Sequence, residues 1–153
     1  PDLYRETGVP LADIHHIQWA DIDGKTPFRE DAKLQKELLR LMKKYPIMAH
    51  NAAFDMRFLQ LQEKATGVVF HQPVLDTLLL SAVVHPNQES HRLEAIAERF
   101  NVTVLGRHTA LGDALVTAEI WLRLIPLLQE QGIHTLRQAR EAAQKTYYAR
   151  LKY

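Results

Sequence analysis

Three residues have types and spacing that could do chemistry together: Asp55, His108 and Asp113. Hard divalent cations prefer carboxylate oxygens and keep some of their water. A neutral imidazole beside such a cation can take a proton from water, because its ordinary pKa lies near working pH. Two carboxylates and a histidine therefore point to metal-assisted hydrolysis, with a phosphate ester as the natural substrate. The same residues also have a plainer reading. Aspartates at helix starts serve as caps and favour the positive end of the helix, and the histidine then lies on the surface. Spacing alone leaves both readings open. No His-Asp dipeptide occurs, which weakens one common design of metal phosphohydrolase.

The elements that must position these residues can be read around them. Ile47-Met48-Ala49 is a short apolar run, and Phe54, Phe58 and Leu61 follow at helical spacing. His50 to Asp55 thus sits where a strand ends and a helix begins, the place where open α/β sheets bind ligands. Asp55 falls in the first turn, beside free backbone N–H groups, and on the plainer reading Asn51 caps the helix. His108 lies in a loop five residues before Asp113, which opens a helix running towards Gln129. Leu111, Ala114, Leu115, Ala118, Leu122 and Ile125 are the expected buried stripe of that helix, and Pro126 should kink it or mark its last turns. Asp76 repeats the arrangement at the Val74-Leu75-Asp76-Thr77 junction and is expected to be a cap.

The rest of the chain bounds the answer. Its 153 residues, 46% hydrophobic and 24% charged, suit one domain with a real core, spanning 1–153. A net charge of +1 gives no global field that would argue for nucleic acid. The absence of cysteine excludes disulfides, thiol catalysis and Cys–zinc sites. No apolar run reaches membrane-spanning length and no secretory signal is visible, so the expectation is no membrane and a cytoplasmic location. The chain begins at Pro1, which reads as a fragment or a processed protein.

Glu6 to Pro10 reads as a turn, and the adjacent His15 and His16 cannot share a helix face, which argues against a metal site there. Thr26-Pro27 reads as a helix start, with Leu34, Leu38, Leu41, Met42 and Tyr45 as the apolar stripe and Pro46 as the stop. Val68-Val69-Phe70 and Val74-Leu75 are short apolar runs, one or both of them strands. Leu78 to Val84 should be buried. Ser90 is expected to cap a helix with Leu93, Ile96, Ala97 and Phe100 on one face. The last helix, at about 135–151, has a Thr135/Gln138 capping box. Its Arg137, Arg140, Lys145, Arg150 and Lys152 form either a solvated face or a contact to a nucleic-acid backbone. Alternating strands and helices give an α/β class with a partly parallel sheet. Two or three strands cover five helices poorly, so part of the sheet is expected to be missing or supplied by a partner.

The motifs, taken in order, add a resemblance. His50-Asn51-Ala52-Ala53-Phe54-Asp55 resembles the second motif of the DEDDh 3′–5′ exonucleases, a superfamily that includes the proofreading epsilon subunit of bacterial DNA polymerase III and ribonuclease T. His108-Thr109-Ala110-Leu111-Gly112-Asp113-Ala114 resembles their third motif. Val74-Leu75-Asp76-Thr77-Leu78 is similar to the family's strand ending in Asp-Thr, and Ser90-His91-Arg92-Leu93 to the start of the small helix before the third motif. Ile14-His15-His16-Ile17 resembles the Ile-His-Gly-Ile segment, with His16 in place of the glycine. The likeness runs from about residue 9 to residue 128.

The resemblance implies a ribonuclease-H-like α/β fold and two Mg²⁺ or Mn²⁺ ions. It implies removal of nucleotides from the 3′ ends of single-stranded DNA or RNA, with a DNA polymerase as a possible partner. By it, Asp55 would help hold the second metal, Asp113 would bind the first, and His108 would be the general base. Asn51 and Phe54 would shape the nucleotide pocket. The family's first motif, Asp-x-Glu before Thr-Thr-Gly, is not found. Glu6-Thr7-Gly8 mimics its end, but Tyr4 stands where the aspartate belongs, and three family strands normally separate that motif from the second. Glu6 is therefore rejected as a ligand. The fold is expected to lack its N-terminal β-strands, and this chain alone to be inactive. The alternatives are a non-catalytic nuclease-like module that binds nucleic acid or a partner, and an unrelated phosphohydrolase.

Overall fold

Tyr45 precedes Pro46, whose ring disfavours helical backbone in the residue before it. Tyr45 is accordingly extended, at φ −123° and ψ 147°, and this switch turns a helix into the first strand. The structure, a computed structural model, describes residues 16–106 and 108–151, with side chains up to residue 147. The sequence expectations for Glu6 to Pro10, Ile14-His15 and Lys152, and for the Arg150 side chain, fall outside what is described.

In chain order come α1 (Trp19–Ile22), a 3-10 turn (Phe28–Glu30), α2 (Ala32–Lys44) and β1 (Ile47–Ala49). Then follow α3 (Ala52–Thr66), β2 (Val74–Asp76), α4 (Thr77–Val84), α5 (Leu93–Arg99), α6 (Ala110–Glu130) and α7 (Leu136–Leu151). β1 and β2 run parallel, with Ile47 opposite Val74, Met48 opposite Leu75 and Ala49 opposite Asp76. The chain is thus mostly helical around a small parallel sheet, compatible with the α/β class. Among the described residues β1 has no second strand neighbour.

The core forms where β2 and α4 meet α5, α6 and α7. Leu75, Leu80, Leu93, Ile96, Ile120 and Leu124 are among its buried members, joined by Ala139 and Ala143 of α7. The alanines, one turn apart, let α7 approach α4 closely. Thr77 and Ser81 are also fully buried on α4, so that helix is enclosed as its apolar sequence requires. The Thr135/Gln138 capping box forms as read: Gln138 N donates to Thr135 Oγ1 at 3.2 Å, and Thr135 N donates to Gln138 Oε1 at 3.1 Å.

Several local expectations are corrected. Thr26-Pro27 does not start α2; a 3-10 turn intervenes, and Asp31 caps α2 by accepting from Leu34 N at 2.9 Å. Ser90 is not the cap residue of α5, which begins after Arg92; its hydroxyl accepts from Arg92 N at 3.4 Å. On α2, Met42 is buried but Leu34, Leu41 and Tyr45 are exposed. The largest correction concerns α6. Its buried face is Gly112, Val116, Thr117, Ile120, Leu124 and Leu128. Leu111, Leu115 and Leu122, expected inside, are 71%, 57% and 63% exposed. Phe54, Phe58 and Leu61 of α3 are exposed as well, Phe54 and Phe58 meeting edge to face at 5.0 Å. Among the described residues, these apolar surfaces are exposed and β1 pairs with β2 alone.

Candidate functional site

Asp55 and Asp113, 58 positions apart in sequence, line one cleft of about 1040 Å³. Its floor includes Met48, Ala49, His50 and Asn51, at the carboxyl end of β1, which is where open α/β sheets place their ligands. Phe54 stands on the wall, and Leu93, Glu94 and Glu98 of α5 close the far side with Arg92 and Ser90. The cleft therefore gathers four carboxylates and one guanidinium.

The α3 side is held by an unexpected carboxylate. Asn51 occupies the position before α3 with left-handed backbone, φ 60° and ψ 50°, and its side chain makes no capping hydrogen bond. The plainer alternative, in which Asn51 caps this helix, is not what the structure shows. Asp76 does it from the neighbouring strand. Asp76 Oδ1 accepts from Asn51 N at 3.1 Å and Oδ2 from Ala52 N at 2.9 Å. Oδ1 also accepts from Leu78 N at 2.9 Å, the expected cap of its own helix. Three N–H donors offset the cost of burying this carboxylate, which is only 8% exposed. Beside it, Thr77 Oγ1 lies 3.0 Å from His50 Nδ1.

Asp55 is in the first turn of α3, as read. Burial against the cleft raises its pKa above the ordinary aspartate value; a hydrogen bond with its own backbone opposes this, and the Asp76 charge adds to the rise.

The α6 side depends on a glycine. A Cβ on Gly112 would lie 2.0 Å from the carbonyl oxygen of Gly106 and 2.7 Å from that of Leu105. Only glycine lets the Leu105 and Gly106 backbone lie against the first turn of the helix. Thr109 fastens the same turn, accepting from Gly112 N at 3.1 Å and donating to Gly106 O. Within this turn His108 N donates to Asp113 Oδ1 at 3.2 Å. His108 has φ 65°. Its side chain is exposed and does not line the cleft that holds Asp55, Asp113, Asn51 and Phe54.

A hard divalent cation suits the donors in kind: carboxylates, on a shared cleft. In number they fall short. Among the described residues, no three histidine, aspartate or glutamate side chains come close enough to hold one ion. Mg²⁺ is commonly held by one or two carboxylates with water and substrate phosphate, so Asp55 and Asp113 could hold such an ion only with oxygens from elsewhere.

Sequence reading missed Glu94 and Glu98 as cleft residues, although their four-residue spacing puts both on one helix face. It missed the second duty of Asp76, which no local pattern carries.

Comparisons with known proteins give the family. The model of the family described as Exonuclease matches residues 10–121. A "DNA polymerase III subunit epsilon-like protein" of Rhodobacter capsulatus is 50% identical over 91 residues, 58% of this chain and 13% of that protein. A "DNA polymerase III PolC-type" protein of Caldanaerobacter subterraneus is 37% identical over 111 residues, covering 70% of this chain and 8% of the relative. Another of that description, from Thermotoga petrophila, is 33% identical over 149 residues, 97% of this chain and 11% of the relative. The chain thus spans about a tenth of the length of these relatives. No solved structure matches. With the family model covering most of the chain and a relative 50% identical over 91 residues, the protein belongs to the exonuclease family, within the DEDDh-type superfamily.

Proposed function

We propose that this chain is part of a 3′–5′ exonuclease that hydrolyses phosphodiester bonds at the 3′ ends of single-stranded DNA or RNA. The observation that carries the reading is the convergence of Asp55 and Asp113 on one cleft at the end of β1. In this reading the two carboxylates would help hold a pair of Mg²⁺ or Mn²⁺ ions, with oxygens from elsewhere completing their coordination. A divalent cation there supplies Lewis acidity and a more acidic water. His108 accepts the proton of the attacking water; its exposed loop position leaves the imidazole room to turn towards the site. Asn51 and Phe54 flank the terminal nucleotide, the ring of Phe54 offering a face for base stacking.

The remaining carboxylates come, in this proposal, from strands that pair with the open edge of β1 in the full-length protein. The bare apolar faces of α3 and α6 support this, since added strands would give them a surface to pack on. Residues 1–153 form a partial exonuclease domain and are inactive alone. A DNA polymerase is the proposed partner and the cytoplasm the proposed location, on the strength of the relatives' names. Among the described residues no helix is long and apolar enough to cross a membrane.

A second reading, a non-catalytic nuclease-like module that binds nucleic acid or a partner, draws on the lack of a three-ligand group among the described residues. Single-turnover cleavage of a 3′-labelled oligonucleotide with Mg²⁺ or Mn²⁺ separates the two. The full-length protein should cleave, and Asp113→Asn should abolish cleavage while leaving the fold intact. Failure of the full-length protein to cleave at any pH or metal tried would leave the binding module. Robust cleavage by residues 1–153 alone would show that no further carboxylates are needed.

A further inference from the structure

We propose that Asp76 is a positioning residue of the exonuclease site: its carboxylate ties the start of α3, and with it Asn51, Phe54 and Asp55, to the end of β2. The proposal deepens the exonuclease reading and rests on it. An ordinary cap serves the helix that follows it, and for Asp76 that duty is the bond from Leu78 N. The bonds from Asn51 N and Ala52 N are of another kind, since they reach back 25 and 24 residues to a different helix. Strand register makes them possible. Asp76 pairs with Ala49, so its side chain stands beside the chain as it leaves β1.

The geometry at Asn51 makes the tie matter. Asn51 has left-handed backbone, and its own side chain supplies no cap. The first turn of α3 is therefore oriented by a carboxylate on the neighbouring strand. Thr77 adds a second tie, with Oγ1 3.0 Å from His50 Nδ1 and donating to Ala49 O at 3.4 Å. Both residues of the Asp76-Thr77 pair thus grip the His50 to Ala52 corner from below, and both are buried. Asp55 follows Ala52 by less than one turn. A change in how α3 starts therefore moves the Asp55 carboxylate relative to Asp113 on α6, and small misplacements of reacting groups are costly in rate.

Two substitutions separate the two duties of Asp76. Asp76→Ser keeps a cap for Leu78 N but is too short to reach Asn51 and Ala52. Asp76→Asn keeps one oxygen and puts an NH₂ group where the other stood. In Asp76→Ser, amide hydrogen exchange at Asn51 and Ala52 should rise at least tenfold while Leu78 stays protected. Single-turnover cleavage by the full-length protein should fall at least tenfold at temperatures where the variant is still folded, and Asp76→Asn should recover part of both. Unchanged protection at Asn51 and Ala52 would overturn the tie, and deprotection with an unchanged cleavage rate would overturn its role in positioning. Should Asp76→Ser fail to fold, the same two readouts on Asp76→Asn decide. A wild-type protein that cleaves nothing would sink the exonuclease reading. The tie itself would then stand or fall on exchange at Asn51 and Ala52 alone.

Discussion

His108 and Asp113 are bound to each other through the backbone: the N–H of His108 donates to Asp113 Oδ1 across 3.2 Å. The bond fixes where the loop residue begins relative to the helix-borne carboxylate. The amide and not the ring makes this contact. The turn before α6 thus ties the His108 backbone to the Asp113 carboxylate, while the imidazole is exposed.

That arrangement decides which substitution tests the imidazole. His108 sits at φ 65°, a region in which histidine and asparagine are enriched and alanine is disfavoured. His108→Ala would mix loss of the ring with backbone strain. His108→Asn should keep the turn and its Tm, and lower the single-turnover rate of the full-length protein by about two to four orders of magnitude, the usual share of a positioned general base. A rate within a factor of three of wild type would remove His108 from the chemistry.

Gly112 gives a second prediction. Alanine is ordinarily the better helix residue by about 1 kcal/mol. Here its methyl would stand 2.0 Å from the Gly106 carbonyl oxygen, against backbone that has no rotamer to change. Gly112→Ala should therefore destabilise the chain, by about 1–3 kcal/mol as for other overpacked sites. It should also push the Leu105 and Gly106 backbone away and expose the His108 amide to exchange. Urea denaturation and amide exchange measure the two effects, and a gain in stability would contradict the contact.

Much of this site is legible in the sequence, and the reasons for the failures are physical. The strand-to-helix junctions at His50 and Asp76 are marked by short apolar runs that give way to polar residues, and both lie where expected. Asp55 falls in the first turn because the helix starts at Ala52, three residues before it, and runs on to Gly67, which ends it with φ 70°. The buried face of α6 could not be chosen by periodicity. Leu111, Leu115 and Leu122 compete with Val116, Ile120 and Leu124 on a helix that is apolar nearly all round. Which face is buried depends on what α4 and α5 present to it. Asp76 escaped for a related reason, since its bonds to Asn51 and Ala52 cross between strands.

Asp55 predicts a pH dependence. Desolvation at the cleft, with the Asp76 charge in addition, raises its pKa when the chain is folded. The folded state then holds the proton more tightly than the unfolded state. Stability is favoured below the ordinary aspartate range and falls as pH rises through the raised value. Asp55→Asn removes this loss. Its Tm should exceed that of the wild type at neutral pH, and the gain should shrink to nothing at pH values below the ordinary aspartate range. Thermal melts of both proteins across that window measure it. A gain that does not depend on pH would assign the effect to something other than ionisation.

The last prediction concerns α7. Ala139 and Ala143 face the core, which leaves Arg137, Arg140 and Lys145 exposed on the remainder of the helix. Nothing in the packing requires these charges, so they are either a solvated face or a contact to a phosphate backbone. Salt dependence distinguishes the two, because each phosphate contact to a single strand releases counterions and contributes about 0.7 to the slope of log affinity against log salt. If Arg140 and Lys145 both touch phosphates, replacing both with Gln should weaken binding of a single-stranded oligonucleotide and flatten that slope by about 1.4. Stability should change by less than about 0.5 kcal/mol, since both side chains lie on the surface. Fluorescence anisotropy at a series of salt concentrations gives affinity and slope together. A double variant with the wild-type slope and affinity would leave α7 as a solvated helix whose work is done by its two alanines.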